Sequence, residues 1–164
     1  MVSRWGNSRP RSFSVTITRA TLLAFLRSRR YAVQSSLHAG GAPQSAVVGI
    51  AVSDDFEIVF DTLGTSRKAA NLRQRADIAL VIGSLEGSDE RTVQVEGRAD
   101  EPQGAERARL VDLYLAVFPD GRARQQWPGL TYIRATPRWL RYSDYSREPA
   151  VIAEWDAAAL RTLK

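Results

Sequence analysis

Residues 60–69 read Phe-Asp-Thr-Leu-Gly-Thr-Ser-Arg-Lys-Ala, and they decide how the rest of the chain is read. A strand from Phe56 to Thr62 ends here, Gly64 supplies a turn, and a short helix over 66–75 begins at Ser66. Arg67 and Lys68 fall in the first turn of that helix. Positive charge there opposes the helix macrodipole by roughly 0.3–1 kcal/mol per group. Free backbone N–H groups, a serine hydroxyl and two cations together form a receptor for phosphate, and a bound dianion turns the charge conflict into attraction. The residues alone leave a second possibility open, an exposed helix start whose cations point at water.

On the N-terminal side, residues 1–16 are polar and basic, with Arg4, Arg9 and Arg11 around Pro10, and are expected to form a mobile arm ahead of one domain over 17–164. Thr18 is a candidate N-cap for a helix carrying Leu22, Leu23, Phe25 and Leu26. Tyr31–Leu37 reads as a strand, and the turn around Gly40 and Gly41 as a hairpin into Ala46–Val52. The apolar runs 46–52 and 77–83 read as strands buried on both faces, or as one wall of a barrel. Arg91–Asp100 alternates, with Thr92, Gln94, Glu96 and Arg98 on a wet face and Val93, Val95 and Ala99 on a dry one.

Pro102 is expected to open a longer helix through Ala108, Val111, Leu115 and Phe118, stopped by Pro119-Asp-Gly121. Strands are expected at 130–136 and 139–145, separated by Pro137, and a terminal helix over 155–163. Six or seven closely spaced strands favour a mainly β fold, a small antiparallel barrel with flanking helices, over a doubly wound sheet.

The composition narrows the chemistry. The chain has 164 residues, a formal charge of +5, no cysteine and one histidine, His38. This excludes disulfides, thiol nucleophiles and Cys-based metal sites, and leaves no basis for a His-rich metal site or a Ser-His-Asp triad. No apolar run approaches the ~20 residues of a membrane span, and the first residues lack a signal peptide's apolar stretch. A cytoplasmic protein with no membrane partner is therefore expected. The basic residues are nearly all arginine, scattered among acids, and the strands lack alternating basic and aromatic faces, so nucleic acid is not an expected partner.

In order and spacing, the chain resembles the FMN-binding split-barrel family, the group that includes pyridoxamine 5′-phosphate oxidase. The matching features are Phe60, Thr62, Ser66-Arg67-Lys68, Asn71-Leu72, the apolar strand Ile78–Ile82, Val93-Gln-Val-Glu-Gly97, and Pro43 before the second strand. They cover about residues 18–145. The resemblance implies a six- to seven-stranded antiparallel split barrel, a homodimer, and FMN in a groove between subunits. It implies phosphate binding by Arg67 and Lys68, with Ser66 and Thr62 helping. Ala46, Val47 and Val48, together with Phe60, Asp61 and Thr62, would line the flavin and its ribityl chain. Thr92 matches the position of a flavin-contacting glutamine, and Gln94 on the same strand face is its substitute.

Two departures separate the chain from oxidases that make pyridoxal phosphate. Those carry an arginine and a lysine on the second strand, where this chain has Ala46 and Ala51, and a tyrosine where it has Asp61. The resemblance is to the smaller, generic branch, and genuine pyridoxamine-phosphate oxidase activity is not expected. The implied function is an FMN-dependent oxidoreductase of unassigned substrate and unassigned catalytic residues, without a metal. The alternatives are a deazaflavin-dependent reductase on the same barrel and a non-catalytic flavin binder or sensor. His38 sits in a Gly/Pro turn and reads as solvated, which disfavours a heme-degrading relative. Trp127 and Trp139 read as packing residues, with flavin stacking as the alternative.

Overall fold

A computed structural model describes residues 16–83 and 89–164. Apart from Thr16, the arm expected over 1–16 lies outside the described residues. The element order is α1 (Arg19–Arg27), β1 (Tyr31–Leu37), β2 (Pro43–Gly49), β3 (Ala51–Val52), β4 (Ile58–Leu63), α2 (Arg67–Gln74), β5 (Asp77–Gly83), β6 (Arg91–Asp100), α3 (Gly104–Val117), α4 (Gly121–Arg124), β7 (Leu130–Asp144), β8 (Val151–Asp156) and α5 (Ala157–Thr162).

The strands pair antiparallel in the order β2-β1-β5-β6-β7-β4-β3, with β8 on the far half of β7. The path starts on β2 and ends on β3, and only Ile50 separates these two in the chain. The sheet therefore curls back on itself, giving the mainly β split barrel that the sequence led us to expect.

Local chemistry explains the elements that position the site. Thr18 caps α1 in a reciprocal box with Thr21, and Leu22 and Leu26 of that helix are fully buried against the barrel interior. The β1–β2 hairpin turns at Gly41, whose φ of +86° suits glycine. Phe60, Ile58, Leu80, Ile82, Val93 and Val95 fill the interior, while Leu110, Tyr114 and Phe118 of α3 cover the outer side of β3 and β4.

The structure corrects several expectations. Of the two readings of 46–52 and 77–83, the structure has the barrel wall and not burial on both faces: β5 alternates exposed and buried, and Val47 on β2 is 69% exposed. One face of this part of the barrel is open, and helices cover only the other parts. The run 46–52 also breaks at Ile50. A Cβ on Gly49 would lie 2.8 Å from the Phe118 ring, so glycine lets that ring close over the seam between β2 and β3. On α3 the buried stripe runs through Leu110, Val111, Tyr114 and Leu115, and Ala108 is exposed.

Pro137 does not divide two strands. β7 runs unbroken for 15 residues, and the register shifts opposite Gly97, where a Cβ would lie 2.5 Å from the Thr136 carbonyl oxygen. A bulge thus absorbs the proline. The expected helix over 155–163 begins only at Ala157, capped by Asp156, because Val151–Asp156 pairs with β7 as β8.

The arginines are largely spent within the chain. Arg134 bonds Asp100 through two nitrogens and reaches Glu57 and Glu106, and Arg109 joins the same acids. Arg73 ties Glu101 to α2, and Arg91 and Arg29 hold Asp89. Such bonds keep carboxyls below their ordinary range: Glu101 through Arg73, Glu106 through Arg109, Asp120 through Arg124, and Asp89 through Arg91 and then Arg29. A carboxyl whose pKa is lowered by folding stabilises the fold above its unfolded value, about 4, and that contribution is lost as pH falls through the lower folded value. The melting temperature should accordingly stay level from neutral pH to about pH 5 and fall below about pH 4. A melting temperature that rises on acidification would contradict these pairings.

Candidate functional site

The end of β4 and the start of α2 build the site from the deciding stretch. β4 is covered on both faces at its start, with Ile58 and Phe60 in the barrel core and Val59 under α3; Phe60 has no exposed surface, and Thr62 follows on the same face. The turn is held from both sides: Gly64 N–H donates to the Gly129 carbonyl at 2.8 Å, and Arg73 donates to the Gly64 carbonyl at 2.5 Å. Ser66 caps α2 by accepting from the Ala69 N–H at 3.3 Å, and its hydroxyl lies 3.0 Å from that of Thr62. Lys68 Nζ reaches the Thr62 hydroxyl at 3.4 Å. Four of the expected residues, Thr62, Ser66, Arg67 and Lys68, therefore stand together.

A cavity of about 450 Å³ opens beside this cluster, lined by Arg67 and Lys68, by Ala46, Ser45 and Gln44 of β2, and by Gln34 and Ser36 of β1. Among the described residues, no carboxylate lies within 4 Å of Arg67 or Lys68, although most other arginines are paired. Their backbone N–H groups have no backbone acceptor. Two cationic residues thus line one polar cavity, at a helix start whose first N–H groups have no backbone acceptor, the donor set a phosphate monoester requires.

Asn71 anchors the middle of α2 to the cavity wall. Its buried amide donates to Ser36 Oγ at 3.2 Å and to Gln44 Oε1 at 3.0 Å, which fixes the helix against β1 and β2. Gln34, in contrast, is 1% exposed and its Oε1 has no hydrogen-bond partner. Sequence reading did not single out Gln34, Ser36 or Gln44. The available signal was the period-two register of β1, which puts Ala32, Gln34 and Ser36 on the buried face.

The other expected residues fall elsewhere. Val48 is buried in the core. Val47 stands on the outer face, in register with Val33, which in turn pairs with Val81, and Val81 with Gln94. Thr92 lies two residues from Gln94 on that same face, so neither reaches the cavity of its own chain. Asp61 points to the α3 side, accepting from the Tyr114 hydroxyl at 2.8 Å and from Arg124 Nε at 3.1 Å. Burial, with the Asp61 carboxylate beside it, pushes the Tyr114 hydroxyl well above its ordinary value. His38 is exposed in its turn and accepts from the Gly40 N–H at 3.1 Å. Trp127 is exposed, and Tyr142 packs edge-on against Phe25 in the core. No helix among the described residues is long and apolar enough to cross a membrane.

A split barrel whose Ser-Arg-Lys helix start faces a polar cavity defines a class, and comparison gives the same answer. The family model for pyridoxamine 5′-phosphate oxidase matches residues 18–144, and the chain belongs to that family. No curated protein matches the sequence. Among solved structures, a heme binding protein from Mycobacterium smegmatis is similar with TM-score 0.75 and 15% identity, over 89% of this chain and 61% of its own length. HutZ, the heme storage protein of Vibrio cholerae, is similar with TM-score 0.66 and 12% identity, over 74% of this chain and 91% of that one. General Stress Protein 26 from Bacillus anthracis is similar with TM-score 0.60 and 20% identity, over 76% and 92% of the two chains. At these identities the likeness is one of fold.

Proposed function

We propose that this chain binds FMN, with its phosphate at the start of α2, and acts as an FMN-dependent oxidoreductase. The observation that carries the reading is that Arg67 and Lys68, with no carboxylate partner among the described residues, line a polar cavity, while most other described arginines are neutralised. Arg67 and Lys68 hold the phosphate, the Ser66 hydroxyl and the helix N–H groups complete its shell, and Thr62 holds the Lys68 ammonium in place. Ala46 leaves space over the cavity floor where a larger side chain would fill it. When bound, FMN supplies hydride acceptance and donation at its ring system, and the protein supplies orientation and electrostatics. The cavity lining carries neither carboxylate nor imidazole, and Asp61 is turned toward Tyr114 and Arg124. Protons therefore pass to and from water or substrate.

The outer face supports the homodimer. Val47 and Val81 are 69% and 49% exposed and flank Val33 on one sheet surface, continuous with Gln94. A second copy docked there covers the apolar row and brings its own Thr92 and Gln94 toward the first copy's cavity, the route by which those residues contact flavin.

The test is the visible spectrum of the purified protein after soaking in FMN and desalting. Retention near one flavin per subunit, bleached by a nicotinamide donor, supports the reading; flavin that only dithionite reduces favours a binder or sensor. A protein that retains no FMN but retains a deazaflavin, or that takes up heme as the Mycobacterium and Vibrio proteins are named for doing, refutes it.

A further inference from the structure

Gln34 lies in the middle of β1, between Ala46 on one neighbouring strand and Leu80 on the other. Both neighbours are apolar, so neither can bond its carboxamide. Nearby, Ser36 Oγ and Gln44 Oε1 accept from Asn71, and neither residue bonds Gln34. Gln34 is 1% exposed, and its Oε1 is buried without a hydrogen-bond partner. A buried amide oxygen left unpaired is costly, and proteins rarely keep one without a reason. This one lines the cavity that Arg67 and Lys68 overlook.

The chemistry of the missing partner follows. A carboxamide needs an acceptor for its N–H and a donor for its oxygen, whichever way it is turned. A phosphate dianion accepts only, so it cannot pair with the orphaned oxygen. A hydroxyl group donates as well as accepts, so it can. We propose that Gln34 is a specificity-determining residue that pairs with a hydroxyl of the chain joining phosphate to ring, so that the site selects a phosphorylated polyol such as the ribityl phosphate of FMN. The inference rests on the FMN reading and deepens it.

Two ligands separate the two ideas: FMN, and a flavin whose phosphate is carried on an unhydroxylated pentyl chain. Each is titrated by fluorescence into the wild type and into Gln34→Met, which keeps the length of the side chain without its polar atoms. The expected result is that Gln34→Met weakens FMN about tenfold and leaves the pentyl phosphate flavin unchanged or slightly tighter. The ligand-free variant is also expected to melt at or above the wild-type temperature, because the unpaired amide is gone. Equal losses for both flavins, or no loss for FMN, would overturn the role of Gln34 while leaving the phosphate site standing. A wild type that binds neither flavin would overturn the FMN reading, and this inference with it.

Discussion

Replacing Arg67 and Lys68 together by alanine is expected to lower FMN affinity at least about a hundredfold while the apoprotein melts as before. Hydrogen bonds to a charged group contribute about 1.5–3 kcal/mol each, so losing two costs about 3 kcal/mol or more, which is roughly a hundredfold or more in the dissociation constant. The fold has little at stake in either charge. Neither side chain has a carboxylate within 4 Å among the described residues, and the one hydrogen bond between them and the rest is Lys68 to Thr62 at 3.4 Å. Removing cations from the positive end of a helix even relieves about 0.3–1 kcal/mol per group. Titration of flavin fluorescence reads the first quantity and thermal melting the second. Unchanged affinity would refute the phosphate site; a large drop in melting temperature would mean the two side chains are structural.

The second large effect is on stability. Phe60→Ala should cost about 3–5 kcal/mol, a drop of roughly 6–20 °C in melting temperature for a domain of this size. Phe60 has no exposed surface and packs among Ile58, Leu80 and Ile133 inside the barrel. The sequence resemblance implies that Phe60 lines the flavin, whereas the structure has its ring in the core and only its backbone leading to Thr62. A clean discrimination comes from Phe60→Leu, which keeps most of the buried volume. It should melt a few degrees lower and bind FMN with wild-type affinity. Lost affinity without lost stability would put the ring in the cofactor site.

Much of this architecture was legible from residues because local signals and tertiary context agreed. The capped helix at Thr18, the strands 31–37, 77–83 and 91–100, and the helix start at Ser66 fall where their caps and periods put them. The failures have physical causes. Pro137 reads as a break, but its missing N–H is absorbed by a bulge that only a glycine on the neighbouring strand permits, and nothing local marks that partner. Strand β8 is missed because its reason to exist is the far half of β7. Buried and exposed apolar runs look alike in sequence, so the exposure of Val47 and Val81 becomes visible only once the helices are placed.

The candidate site divides the same way. Thr62, Ser66, Arg67 and Lys68 are contiguous in a turn and a helix start, so their clustering follows from chain geometry alone. Asp61 lies between two inward residues, and β alternation turns it outward to Tyr114 and Arg124. Gln34 sits 32 residues before the cap at Ser66, and only the folding of α2 over β1 brings it to the same cavity.

The most direct test compares FMN with riboflavin, which differs only by the phosphate. If the start of α2 is a phosphate site, FMN binds the wild type roughly a hundredfold more tightly than riboflavin, and the difference disappears in the Arg67→Ala/Lys68→Ala variant. Equal affinities for the two flavins in the wild type would contradict it.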